Sequence, residues 1–360
     1  MEFDLDQDQK ALRDEARRFL EREAGIAYAR SMMEDERGFT DDVWRKVAGL
    51  GWTALPFADE YGGLGQGFVA LAILLAEMGR VVLPGPFFPT VVLAGTAIAE
   101  AGSEAQRKEL LPSIAEGELL AAAVLPSSQE HAGVSFRDDA LHGEASFVMD
   151  GAVADRIVVA TAGGLYVTAG RDGVEAAPIS SMDQTRKVAD LRFDGAPAER
   201  LGDAGWLAVQ RVLDRACVGL AAEMLGGAER VLELSVDYAK QRVQFDRPIG
   251  SFQAVKHRAA DMLLEVESLR SAVYYAAWAL ERDHPDASLA ASMAKAYASD
   301  AYRKVAASGI QIHGGIGFTW EADLHLYFKR AKASEVAFGD ASHHRERMAG
   351  ILRERYAPTP

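Results

Sequence analysis

Apolar residues recur at intervals of three and four along the first third of the chain, the spacing of helices that bury one face. The first such face consists of Leu12, Ala16, Phe19 and Leu20. Asp6 and Gln9 are spaced as a capping box at its start, and Gly25 is suited to end it. The pattern therefore predicts helices up to about residue 116.

Small and β-branched residues alternate with glycine-containing turns after this point, as in RIVVATAGGLYVTAG at 156–170, which is typical of short strands. Helical spacing then returns in three long stretches, at 205–241, 252–283 and 287–308. We therefore expect a mainly α chain with a small central β domain. The predicted domains are an N-terminal helical domain at 1–116, a middle β domain at 117–200 and a C-terminal helical bundle at 201–360.

Composition and charge limit the class of protein. The chain has 360 residues, of which 49% are hydrophobic, enough for a large core. Its net charge of −14 argues against a nucleic-acid partner. No apolar run reaches the roughly 18 residues of a membrane span, and the acidic N-terminus is unlike a targeting signal, so we expect a cytoplasmic protein. The single cysteine, Cys217, is expected to be a buried structural thiol rather than a metal ligand.

Three short stretches and the order of the domains carry a resemblance to a known family. The stretches are EYGGLG at 60–65, RVQFDRPIGSFQAVKHRAADM at 242–262 and QIHGGIG at 311–317. Together they resemble the acyl-CoA dehydrogenase family across almost the whole chain, and the second stretch is the most specific. FGDASHHRER at 338–347 and the compact length are most similar to the bacterial subgroup linked to the degradation of sterol and other bulky acyl-CoA compounds.

The resemblance implies a fold, a reaction and a set of partners. The implied fold has an N-terminal helical domain, a β-barrel-like middle domain and a C-terminal four-helix bundle. The implied reaction is the α,β-desaturation of an acyl-CoA thioester, in which a glutamate removes the α proton while FAD accepts hydride from the β carbon. The implied partners are further subunits, identical or related, and an electron acceptor such as an electron-transfer flavoprotein.

One group of residues matches the family element that contacts the FAD diphosphate of a neighbouring subunit. Arg242, with Phe245 beside it, occupies the RxxF element, and Gln253 belongs to the same patch between subunits. A planar, permanently charged guanidinium suits a diphosphate. The alternative for Arg242 is a surface ion pair with Asp237 or Asp246, and the alternative for Gln253 is a solvated side chain near the start of a helix.

A second group matches the element that cradles the adenosine part of the same cofactor. It consists of Gln311, Gly314 and Gly315. Glycine lets the backbone approach a ligand closely, and the glutamine side chain can form hydrogen bonds with it. The alternative is a tight turn at the end of a helix that binds no ligand. We assign no role to His313.

The family's catalytic glutamate is absent from both of its usual positions. Counting forward from Gly314 without gaps places the commoner position at Phe338, and the rarer position, on an earlier helix, falls on Ala216. Neither side chain can accept a proton. Asp340 and Glu223 are weak candidates for a substitute base. Asp340 also suits a helix N-cap, and Glu223 suits either a buried, partnered acid or an exposed one.

The middle domain departs from the family pattern as well. LPSSQEHAG at 125–133 stands where the family has an EPxxGSD-like loop against its own flavin and substrate. Phe147, Val148 and Met149 replace a Trp-Ile-Thr/Ser element whose hydroxyl contacts flavin N5. The elements that serve a neighbour's flavin are therefore kept, while several that serve the chain's own flavin are missing.

The leading interpretation is a subunit of a flavin-dependent acyl-CoA dehydrogenase, the non-catalytic member of a heteromeric enzyme that completes its partner's FAD site. Two alternatives stay open. The first is an active homo-oligomer with an unusual base such as Asp340 or Glu223. The second is a non-enzymatic protein that binds CoA thioesters or acts as a scaffold. His343 and His344 point about 100° apart on a helix, so we expect no metal site.

Overall fold

The computed structural model of the protein describes residues 5–126, 133–203 and 205–356. The mainly helical fold with a central β region is confirmed. The α-helices are α1 (Gln7–Glu23), α2 (Ile26–Glu34), α3 (Asp41–Gly49), α4 (Gly67–Arg80), α5 (Thr96–Ala101), α6 (Glu104–Ala115), α7 (Trp206–Gln241), α8 (Gln253–Glu281), α9 (Ala287–His313), α10 (Leu324–Val336) and α11 (Ala341–Tyr356). Shorter helical segments are the π-helix Phe88–Gly95 and the 3₁₀ turns Asp59–Tyr61, Ile249–Ser251 and Gly314–Phe318.

The strands are β1 (Ala121–Val124), β2 (Val134–Arg137), β3 (Ala140–Met149), β4 (Arg156–Thr161), β5 (Gly164–Thr168), β6 (Val174–Ile179), β7 (Val188–Arg200), β8 (Val243–Gln244) and β9 (Arg247–Pro248). The first seven form one sheet in the order β1-β4-β5-β7-β3-β2, with β6 also paired to β7. All its pairings are antiparallel except that of β1 with β4. The last two strands form a separate hairpin between α7 and α8.

The chain divides into two compact units. The first unit comprises Met1–Ile26, Ala72–Leu83 and Cys217–Pro360, and the second comprises Ala27–Leu71 and Pro84–Ala216. Within the first unit, α9 packs against α8, α10 and α11. Within the second, buried hydrophobic residues of the large sheet form a core. The division into three domains at 1–116, 117–200 and 201–360 remains a prediction.

Helix boundaries follow the predicted signals in one place and depart from them in another. The capping box of α1 is present, because Gln9 N–H donates to the Asp6 carboxylate at 2.8 Å and Asp6 N–H donates to the Gln9 side chain at 3.1 Å. The stretch expected to end at residue 308 instead continues to His313. Among the described residues, no helix is both long and apolar enough to cross a membrane.

Candidate functional site

The six residues predicted to contact FAD all lie at the surface of the first unit. They are Arg242, Phe245, Gln253, Gln311, Gly314 and Gly315. The first three belong to the end of α7, the β8–β9 hairpin and the start of α8, and the last three belong to the end of α9 and the turn after it. We refer to these six residues, whose contact with a cofactor is a prediction, as the cofactor-facing surface.

The backbone of Arg242 is held by hydrogen bonds, while its side chain is exposed to solvent. Its N–H donates to the Tyr238 carbonyl at 2.8 Å, which continues α7, and its carbonyl accepts from Ile249 N–H at 2.8 Å across the hairpin. Within the described ranges its guanidinium forms no ion pair with Asp237 or Asp246. The Asp237 carboxylate instead pairs with Lys240, with 3.8 Å between Oδ1 and Nζ. The structure therefore fixes the backbone of Arg242 and leaves its guanidinium exposed to solvent.

The hairpin presents an aromatic ring beside this cation. Phe245 is 87% exposed, and it and Asp246 both have positive φ angles, of 53° and 63°. Positive φ at both central residues is typical of a type I′ turn, which usually requires Asn or Gly. The Phe245 ring lies edge-on to Phe252 at 6.1 Å. The positive φ of Phe245 is a strained conformation for a bulky side chain.

The turn after α9 is built around two glycines with different requirements. Gly314 has φ 64° and ψ −142°, a conformation open only to glycine. Gly315 has no positive φ, and an added Cβ there would meet no atom within 4 Å. The described part of the chain therefore gives no internal reason for glycine at position 315. The same holds for Gly49, Gly205 and Gly350, so the open space beside Gly315 does not by itself indicate a ligand.

The vacant base position lies in the turn between α10 and α11. Phe338 is half-buried with φ 58°, and Gly339 follows with φ 98°. Lys295, fully buried on α9, donates to the carbonyls of Glu335 at 3.0 Å and Gly339 at 2.9 Å. His344 donates to the Phe338 carbonyl from Nε2 at 3.1 Å. The turn is therefore clamped by a buried amine and a buried imidazole, while its side chain supplies no base.

The two substitute acids both have structural partners. Asp340 accepts a hydrogen bond from His343 N–H at 2.8 Å and caps α11. Backbone hydrogen bonds from His343 and Ser342 lower the pKa of Asp340, which makes it a weaker base. Glu223 is buried on α7 and forms an ion pair with the buried Arg330 of α10. The rarer base position, Ala216, is buried and carries only a methyl group.

Sequence reasoning missed the polar cluster that supports the Phe338 turn. Burial lowers the pKa of Lys295 to about 8 and that of His344 to about 3. Cys217 is buried as expected, and its Sγ lies 3.8 Å from His344 Nε2. The available signal was a single lysine within the small, apolar stretch ASMAKAYAS of α9. In the described residues, no group of three or more potential ligands is arranged to hold a metal.

The lowered pKa of Lys295 predicts a specific dependence of stability on pH. Between about pH 8 and 10.5 the unfolded chain holds a proton that the native chain has lost, so the free energy of unfolding rises with pH through this window. From pH 7.5 to 9 the expected rise is about 1 kcal/mol. Urea unfolding at several pH values measures it. Lys295→Met should remove this part of the slope, and an unchanged slope in the variant would contradict the prediction.

The sheet residues expected near the chain's own flavin lack the polar group of the family pattern. A register shift between Ala145 and Val148 makes a bulge in β3, and Phe147 on this bulge is 66% exposed. Val148 is buried, and Met149 pairs with Val188 of β7. Met149 has no hydroxyl to donate. The LPSSQEHAG stretch lies largely outside the described residues, at 127–132.

Comparisons with known proteins cover nearly the whole chain. Models of the acyl-CoA dehydrogenase N-terminal and C-terminal domains match residues 6–118 and 203–352. The acyl-CoA dehydrogenase IpdE2 of Mycobacterium tuberculosis is 36% identical over 330 residues, 91% of this chain and 92% of that protein. A solved variant of the Tcur3481-Tcur3483 steroid ACAD is 32% identical, with a TM-score of 0.90 over 98% of this chain and 99% of that one. The ChsE4-ChsE5 complex from Mycobacterium tuberculosis is 27% identical, with a TM-score of 0.89 over 100% of both chains.

Proposed function

This chain belongs to the acyl-CoA dehydrogenase family, whose members are FAD-dependent flavoproteins, and on that premise we propose that it is the non-catalytic subunit of a heteromeric enzyme. Its cofactor-facing surface completes the FAD site of a related subunit that carries the catalytic glutamate. The enzyme desaturates an acyl-CoA thioester and passes electrons to an acceptor such as an electron-transfer flavoprotein.

One observation carries this proposal: the stretches that match the contacts to a neighbour's FAD are kept, while both usual positions of the catalytic glutamate hold other residues, Phe338 and Ala216. Arg242, exposed and without an ion pair among the described residues, supports an anionic occupant on the same unit.

The residues of this surface fit FAD by their chemistry. The Arg242 guanidinium would bind the diphosphate through charge-assisted hydrogen bonds. The backbone at Gly314 and Gly315 would lie against the adenosine, with the Gln311 side chain as a hydrogen-bonding group. When bound, FAD supplies the hydride acceptor that side chains lack. The contribution of this chain is to bind and orient one end of the cofactor.

The positions that would serve a reaction within this chain argue for a non-catalytic role. Phe338 and Ala216 cannot take a proton, and Met149 cannot donate a hydrogen bond. An active homo-oligomer would need Asp340 to leave the cap of α11 or Glu223 to leave its ion pair with Arg330. Removing one member of a buried ion pair costs about 3 to 5 kcal/mol, which disfavours the second route.

The relatives suggest the substrate class and the kind of partner. One similar structure is that of a steroid ACAD, and another is that of a complex named for two chains. We therefore propose a steroid-derived or similarly bulky acyl-CoA as the substrate of the assembled enzyme. We also propose a cytoplasmic dimer or tetramer in which this chain and its catalytic partner are adjacent.

Expression alone and with a partner tests the proposal. We expect the chain alone to be colourless and the chain co-expressed with a glutamate-bearing relative to be yellow and active with acyl-CoA. The relative expressed alone should retain less flavin, because the diphosphate and adenosine contacts come from this chain. A yellow protein that reduces its own flavin with acyl-CoA would support an active homo-oligomer. Failure to acquire flavin, both alone and with every partner tested, would support the scaffold alternative.

A further inference from the structure

The cofactor-facing surface is made from two chain segments about seventy residues apart, the end of α7 and the end of α9. Their helices approach closely just before both end. An added Cβ at Gly309 of α9 would lie 2.5 Å from Val231 Cγ1 and 3.1 Å from Ser235 Oγ of α7. One helical turn further along, the rings of Tyr238 and His313 are stacked, with centroids 4.2 Å apart and planes at 20°.

The His313 ring is held by two contacts, the stack with Tyr238 and a hydrogen bond to its own helix. Its Nδ1 lies 2.8 Å from the Gly309 carbonyl, and because a carbonyl only accepts, Nδ1 carries the proton. Burial lowers the pKa of His313, so the ring is neutral at physiological pH. An added Cβ at Gly317 would lie 3.2 Å from His313 Cβ, which shows that the glycine turn folds back onto this residue. His313 therefore contacts α7, its own helix and the turn that carries Gly314 and Gly315.

Tyr238 connects the stack to Arg242. The Tyr238 carbonyl accepts the Arg242 N–H at 2.8 Å, and the Arg242 carbonyl accepts the Ile249 N–H at 2.8 Å. The backbone of Arg242 is thus set by Tyr238 on one side and by the hairpin on the other. Any shift of Tyr238 relative to His313 changes the separation between the arginine and the glycine turn.

We propose that Tyr238 and His313 are positioning residues that set the spacing between the diphosphate-binding arginine and the adenosine-binding glycine turn. This inference rests on the proposed function. A diphosphate and the adenosine joined to it form one ligand of limited length, so a surface that binds both must hold its two contacts at a matched distance. A pre-formed spacing avoids the ordering cost that a mobile surface would incur on binding.

The test uses Tyr238→Leu and His313→Leu to remove the stack, and Tyr238→Phe to keep a ring without the hydroxyl. Tyr275→Leu, in the stacked pair of Tyr275 and Trp278 on α8 of the same unit, is the matched control. Hydrogen exchange of the isolated chain reports on amides 314–318. FAD dissociation from the assembled complex reports on binding. A double-mutant cycle over Tyr238 and His313 separates their coupling from general destabilisation.

We expect Tyr238→Leu to speed exchange at 314–318, although the substitution lies on a different helix, and to speed FAD loss about threefold to tenfold. Tyr238→Phe should keep the exchange rate at 314–318 and the rate of FAD loss of the unmodified protein, and Tyr275→Leu should change neither rate. The variant with both Tyr238→Leu and His313→Leu should lose FAD no faster than either single variant. Additive losses, or unchanged exchange and FAD retention in Tyr238→Leu, would overturn the positioning role alone. A wild-type complex without flavin would contradict the proposed function and, with it, this inference.

Discussion

Phe338→Glu leaves the isolated chain unable to oxidise any acyl-CoA, although it restores a carboxylate at the family's commoner base position. Three features of the structure predict this result. The half-buried turn disfavours the ionised form of a new carboxylate. Met149 offers no hydroxyl where the family pattern has one. A base without an oriented flavin and thioester beside it has nothing on which to act.

Anaerobic flavin reduction measures this prediction, with FAD added to the isolated chain and a panel of straight-chain and steroid-derived acyl-CoA substrates. Phe338→Gln is the matched control, since it has nearly the same shape as glutamate without its charge. The assembled complex should keep its activity in Phe338→Ala, apart from any loss of folding stability. Stoichiometric flavin reduction by the unmodified chain would reveal a base, and Asp340→Asn and Glu223→Gln would then identify it.

Arg242→Ala weakens FAD retention in the assembled complex by about 1.5 to 3 kcal/mol, the range for a hydrogen bond to a charged group. The subunit should remain folded, because the Arg242 side chain is exposed and its structural contacts are made by the backbone. FAD retention in Arg242→Lys should lie between that of the unmodified complex and that of Arg242→Ala, since an ammonium keeps the charge but loses the planar fork of the guanidinium. Flavin dissociation, followed by dialysis and absorbance, gives the measurement.

Arg282→Ala is the matched control for Arg242→Ala. Arg282 is exposed at the end of α8 in the same unit, so its loss changes the net charge by the same amount without touching the cofactor-facing surface. Equal flavin loss in the two variants would attribute the effect to overall charge. Unchanged flavin occupancy in Arg242→Ala would remove the assignment of Arg242 to the diphosphate.

Local signals in the sequence predicted the features that depend on neighbouring residues. Asp6 and Gln9 form the expected capping box, because both groups lie within one helical turn. The sequence pattern predicts that α9 ends at 308, but the helix continues through Gly309 to His313. In the structure this glycine is inside the helix and makes room for Val231 of α7. Such packing between distant helices leaves no local signal.

The residues around the vacant base position show the same limit. Counting along the chain placed Phe338 where the family has glutamate, and this required only sequence. The clamp on its backbone depends on Lys295, more than forty residues earlier, which donates to Gly339. The partner of Glu223, Arg330, lies 107 residues away. Long-range side-chain pairs of this kind are set by helix packing and appear only in three dimensions.

Flavin content per chain, measured on the isolated protein and on the complex purified from the native host, tests the central claim most directly. Flavin absorbance set against protein content gives the ratio. If this chain lends its surface to a partner and holds no flavin of its own, the isolated protein is colourless and the complex contains one flavin for each pair of unlike subunits. One flavin for every copy of this chain, retained when it is purified alone, would contradict the account.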